Sequence, residues 1–130
     1  MMEKLLIEAT KYTPFILLDP HSGIFEIKGK SYPENTFDFY QPVMDWVGDY
    51  FADHACEKTL VNMEIIYFNS SSSKLFFDFF DLLEEADETN NIKINWIYDE
   101  ENESAEESGQ DFKEDFEHLN FNLVRKQEMD

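Results

Sequence analysis

The sequence predicts a small α/β domain built on a mixed β-sheet. Three observations lead there. In the second half of the chain, short apolar runs alternate with segments at helical spacing, the pattern of strand–helix–strand units with parallel pairing. Near the N-terminus, two apolar runs flank Pro20-His21-Ser22-Gly23 and read as an antiparallel hairpin. The length of 130 residues fits a single domain, residues 1–130. Folding a chain of this size removes roughly two thirds of its surface, enough for one core.

Leu5 to Ala9 is a short apolar run at the edge-strand scale. Phe15-Ile16-Leu17-Leu18, between Pro14 and Pro20, reads as a buried strand. Ile24 to Lys28 alternates apolar and polar residues after its first position and closes the hairpin at Gly29. Ser31-Tyr32-Pro33-Glu34 then has the form of a capping box, with Pro in the first helical turn. A helix follows to about Ala55. Pro42 lies inside it, and the ring's clash with the carbonyl four residues back predicts a kink or break near Asp38 to Gln41.

Thr59 to Phe68 is the central strand, with Val61, Met63, Ile65 and Tyr67 on one face. Asn69 and Ser70 to Ser73 lead into a helix carrying Leu75, Phe76, Phe79, Phe80, Leu82, Leu83 and Ala86. Asp78, Asp81, Glu84 and Glu85 fill its wet face. After Asn90-Asn91, the residues Ile92, Ile94, Trp96 and Tyr98 alternate as a further strand. Asp99 to Glu107 holds six carboxylates in nine residues and reads as an acidic loop. A short helix near Gln110 to His118 and a strand, Phe121 to Val124, complete a mixed sheet flanked by about three helices.

Asp and Glu number 29 against 10 Lys and Arg, a net charge of −19. Such a chain repels nucleic acid and anionic membrane unless a basic patch overrides the field. The basic residues are scattered, with no run longer than Arg125-Lys126. Disorder is excluded on other grounds: 42% of residues are hydrophobic, and 13 Phe, 6 Tyr and 2 Trp supply material for a core. Cys56 is the one cysteine, so no internal disulfide forms. No secretion signal is visible and no apolar run approaches the roughly 20 residues of a membrane span. The expected compartment is the cytoplasm, and the charge favours a monomer when free.

Little in the sequence points to catalysis. His21, His54 and His118 are isolated, none with a ligand at the spacing of a zinc helix. Cys56 reads as a bystander thiol. There is no glycine-rich phosphate loop and no G-x-S-x-G elbow. The stretch Asp99-Glu100-Glu101-Asn102-Glu103 could attract a cation, but Ser104 stands where a calcium loop needs glycine. No catalytic residue, metal or cofactor is expected.

The serine run is the most informative local feature. Asn and Ser are favoured N-caps, and the run can serve as a cap alone. The same geometry also suits a phosphoryl group, because a helix N-terminus presents free N–H groups and partial positive charge. The first helix carries two apolar lines. One is Phe37, Tyr40, Met44, Val47 and Phe51; the other is Phe39, Val43, Trp46 and Tyr50. Either both are buried or part of the second is an exposed partner surface.

Four segments together carry a family resemblance. They are Ser31-Tyr32-Pro33-Glu34-Asn35, Phe39-Tyr40-x-Pro42-x-x-x-Trp46, Tyr67-Phe68-Asn69-Ser70-Ser71-Ser72-Ser73-Lys74, and Trp96-x-Tyr98-Asp99. The chain resembles the SiaC-type bacterial regulatory phosphoproteins from about Ile7 to Val124. The resemblance implies a STAS-like fold, akin to anti-sigma factor antagonists, and a non-enzymatic partner switch. It implies a dedicated protein kinase, a metal-dependent protein phosphatase, and a target protein such as a diguanylate cyclase bound by the unphosphorylated form. By motif position the phosphoacceptor falls on Ser70, where the family often has Thr, with Ser71 as the rival. The partner-binding set it implies is Tyr32, Pro33, Glu34, Asn35, Phe39, Trp46, Tyr50, Asn69, Ser72 and Lys74. Two other readings compete: an acidic decoy occupying a basic nucleic-acid-binding surface, and a small enzyme with an acidic metal site.

Overall fold

The computed structural model describes residues 2–126. Six strands form one sheet in chain order: β1 Leu5–Ile7, β2 Phe15–Asp19, β3 Ile24–Ser31, β4 Thr59–Phe68, β5 Ile92–Asp99 and β6 Asn120–Lys126. The pairs β1–β2 and β2–β3 are antiparallel, and β3 through β6 run parallel. The expected hairpin is β2–β3, closed by the Gly23 N–H donating to the Asp19 carbonyl at 3.0 Å. Gly23 sits at φ 72°, the left-handed region that glycine adopts without strain.

Each parallel step is a crossover through a helix: α1 Thr36–Asp49, α2 Ser70–Asp87 and α3 Glu103–Asp115. Crossovers of one hand that advance in one direction place all three helices on one face. The burial pattern agrees. Phe25, Ile27, Val61, Met63, Ile65, Ile94 and Trp96 face the helices in a single core with Val47, Phe76, Phe80 and Leu83. The intervening strand residues face away. There Asn62, Asn95 and Asn122 stand in register, and the Asn95 side-chain amide donates to Asn62 at 3.0 Å.

Four sequence expectations change. The first helix is capped by Asn35, whose side chain accepts from the Asp38 N–H at 3.1 Å, not by Ser31. Ser31 is the last residue of β3, and its hydroxyl is drawn into the core. The helix also runs unbroken through Pro42; the regular winding changes only at its C-terminus, in a π-helical turn over Tyr50–His54. Its buried stripe draws on both apolar lines, through Tyr40, Val43, Val47 and Tyr50, while Phe37 is 67% exposed.

Tyr67 does not continue the inner face of β4. The register jumps from Gly29↔Ile65 to Lys30↔Tyr67, an irregularity that leaves both Ile66 and Tyr67 about half exposed. Finally, the acidic stretch at 99–107 is mostly helix rather than loop. α3 begins at Glu103 under an Asn102 cap, and Glu103 and Glu106 occupy its first turn, where carboxylates stabilise the positive end of the helix dipole.

Candidate functional site

The C-terminal ends of parallel strands are where an α/β sheet presents its loops. Ser31 and Phe68 end β3 and β4 as a register pair. Each strand then turns into a helix, so the N-termini of α1 and α2 lie side by side. The Asn69 N–H donates to the Ser31 carbonyl at 3.1 Å, tying the two turns together.

The four serines of α2 have distinct environments, of which Ser73 is half-buried in the wall of the groove that Ser70 also lines. Asn69 caps the helix, its side-chain oxygen accepting from the Ser72 N–H at 2.9 Å. Ser72 is wholly buried, and its hydroxyl donates to the Ser31 carbonyl at 3.0 Å. The Ser72 and Ser31 hydroxyl oxygens are 2.8 Å apart, and Ser31 Oγ lies 2.6 Å from Tyr40 Oη on α1. This network closes every buried hydroxyl it contains, and burial pushes the Tyr40 phenol well above its usual range. Ser71 is exposed but tethered: the Thr36 hydroxyl donates to it at 3.1 Å, and it donates weakly to Asn69 at 3.4 Å. Ser70 is exposed, and among the described residues nothing hydrogen-bonds its hydroxyl. A hydroxyl in that state meets the geometric needs of an acceptor that another protein must reach.

Aromatic rings surround this turn. Tyr32 packs edge-on between Tyr12, at 5.3 Å, and Tyr67, at 5.6 Å. A groove of about 690 Å³ opens beside them, lined by Thr10, Tyr12, Tyr32, Pro33, Glu34 and Phe39. On the other side of the serine run, between α2 and α3, lies a groove of about 680 Å³ lined by Phe68, Ser70, Lys74, Phe77, Asp111 and Asp115.

Seven of the predicted contact residues thus gather at one end of the sheet: Tyr32, Pro33, Glu34, Asn35, Phe39, Asn69 and Lys74. Three others lie elsewhere: Ser72 inside the protein, Trp46 and Tyr50 away from this end. Ser72 is fully buried in the network above. Trp46 and Tyr50 lie at the far end of α1, which at 14 residues is about 21 Å long. Trp46 stacks on Tyr50 with ring centroids 5.4 Å apart, and its indole N–H donates to the Glu3 carbonyl at 2.8 Å. Tyr50 has no exposed surface, meets Phe25 edge-on, and holds Thr59 and the Cys56 N–H through its hydroxyl. Tyr50 belongs to the core and the half-buried Trp46 packs against it, at the other end of the strands. The sequence gives no signal for Thr36 or Tyr12 at this end, and it places Tyr67 on the inner face of β4 rather than beside Tyr32. Thr36 follows Asn35, the cap that the spacing places at Ser31, and Tyr12 carries no periodicity that marks it.

Among the described residues no group of His, Cys, Asp and Glu is arranged to hold a metal ion. No described helix is long and apolar enough to cross a membrane.

The comparisons with known proteins agree with one another. The family described as "SiaC family regulatory phosphoprotein" matches residues 7–126. An uncharacterized protein of Pseudomonas aeruginosa (strain UCBPP-PA14) is 37% identical over 115 residues, which is 88% of this chain and 90% of that one. The solved structure of SiaC of Pseudomonas aeruginosa superimposes with a TM-score of 0.84 at 32% identity, covering 98% of this chain and 100% of that one. A crystal structure of the diguanylate cyclase SiaD in complex with its activator SiaC, also from Pseudomonas aeruginosa, contains a chain matching at a TM-score of 0.84 and 34% identity, over 95% of this chain and 99% of that one. With a mixed six-stranded sheet of the same shape and a match across nearly its whole length, the chain belongs to the SiaC family of regulatory phosphoproteins.

Proposed function

We propose that this chain is a non-enzymatic, cytoplasmic partner switch whose state is set by phosphorylation of Ser70, with Ser71 as the rival acceptor. A protein kinase adds the phosphoryl group and a metal-dependent phosphatase removes it. The unphosphorylated form binds and regulates a target of the diguanylate cyclase class. The observation that carries this reading is the contrast among the serines: Ser72 is locked, Ser71 is tethered, and Ser70 is exposed with an unengaged hydroxyl. The likeness to an activator seen bound to a diguanylate cyclase supports the class of target.

The contact surface is the turn and the groove beside it, through Tyr32, Pro33, Glu34, Asn35, Phe39, Asn69 and Lys74. A phosphoryl group brings about −1.5 to −2 charges and three strong acceptor oxygens. Placed at the rim of this surface it obstructs a seated partner. Ser70→Ala should bind the target like the parent and take up no phosphate from the kinase; Ser70→Asp should weaken binding about tenfold or more. Calorimetry with the target and mass-spectrometric mapping of the phosphate check both. Parent-like binding by Ser70→Asp, with phosphate mapped elsewhere, would sink the assignment.

A further inference from the structure

The groove between α2 and α3 holds one cation among carboxylates. Lys74 shares it with Asp78, Asp111 and Asp115, and Ser70 opens onto it. Ser70 and Lys74 stand at positions i and i+4 of α2, so their Cβ atoms lie on one face roughly 5–6 Å apart. An anion four residues before a cation is the favourable order on a helix, because it also suits the helix dipole. Lys74 is exposed and therefore available to an added anion. Among the described residues the ion pairs are Arg125–Glu100 and Lys126–Glu64, so Lys74, like most lysines of the chain, is in none; what sets it apart is its place in the groove that Ser70 lines.

We propose that Lys74 is the counter-cation that holds a phosphoryl group on Ser70. The inference rests on the reading of Ser70 as the acceptor and adds the residue that receives the modification. Without Lys74, a phosphoryl dianion at this position faces Asp78, Asp111 and Asp115 with no opposing charge in the groove. With it, the dianion is drawn along α2 into the groove. The rival acceptor lacks this arrangement: four residues beyond Ser71 is Leu75, and the Ser71 hydroxyl is held by Thr36 from α1.

The test uses the full chain with phosphoserine genetically encoded at position 70, so it needs no kinase. Phosphorus NMR follows the second ionisation of the phosphoryl group with pH. Removing an adjacent cation disfavours the dianion, so Lys74→Gln should raise that pKa by about 0.5, the scale of an exposed ion pair. Lys74→Arg should restore the parent value. Lys93→Gln is the control, because it deletes the same charge from an exposed position on β5. Equal shifts from Lys74→Gln and Lys93→Gln, or no shift from either, would overturn the pairing. Unchanged melting temperatures show that the variants remain folded. The kinase's own acceptor is mapped separately by mass spectrometry. Phosphate mapped to another residue defeats the Ser70 switch, whereas an unresponsive encoded phosphoserine defeats only the role of Lys74.

Discussion

Tyr40 illustrates how one side chain can tie the serine turn to the core. Its hydroxyl reaches Ser31, which reaches Ser72, so a single chain of hydroxyls links α1, β3 and α2. Such a network stabilises only while every member is satisfied. Tyr40→Phe removes one partner, and denaturant unfolding should register a loss of about 1 kcal/mol. It should also flatten the alkaline response. The phenol is held protonated in the folded state above its ordinary value of 10.0, with burial as the main cause. Folding is therefore fully supported below pH 10, and that support is lost as pH rises beyond it, because the unfolded chain ionises first. Parent stability should fall between pH 9 and 11 more steeply than that of Tyr40→Phe; parallel curves would show that Tyr40 is not the group responsible.

At the scale of elements, the two helical glycines of opposite context give a paired prediction. Gly109 lies in α3 against the sheet, where an added Cβ would sit 2.5 Å from Trp96 Cδ1 and 2.6 Å from Leu123 Cδ2. Gly109→Ala should destabilise by about 1–3 kcal/mol through overpacking. Gly48 in α1 has nothing within 4 Å of such a Cβ, so Gly48→Ala should stabilise by about 0.5–1 kcal/mol. Thermal unfolding of both variants checks the pair, and a loss at both sites would contradict the packing argument. The same helix explains why its own start was misread. Carboxylate density resembles a loop in sequence, but Asn102 caps the first turn and also donates to the Ile66 carbonyl, docking α3 onto the end of β4. That second contact spans 36 residues and leaves no local trace.

For the whole molecule, the charge of −19 is the dominant long-range term. Self-repulsion of this size favours expansion, and salt screens it over a Debye length of about 8 Å at physiological ionic strength. The melting temperature should rise by several degrees between 20 mM and 500 mM sodium chloride; a constant or falling value would show that local pairs outweigh the net field. Against that background the phosphoryl group proposed for Ser70 would change the total little, so its effect would come from where it sits. The number and order of most elements are legible along the chain, because period-two and helical spacings are local properties. The serine turn and its family are legible there too, because those signals are contiguous motifs. Which of the first three serines keeps an unengaged hydroxyl is set by packing between elements. Ser70, Ser71 and Ser72 are chemically alike, and the difference arises from Ser31, Thr36 and Tyr40, which the parallel crossover brings from other elements. Tertiary packing likewise buries Tyr50 and leaves Trp46 half-buried, since a helix face becomes inside or outside only when the sheet it covers is in place.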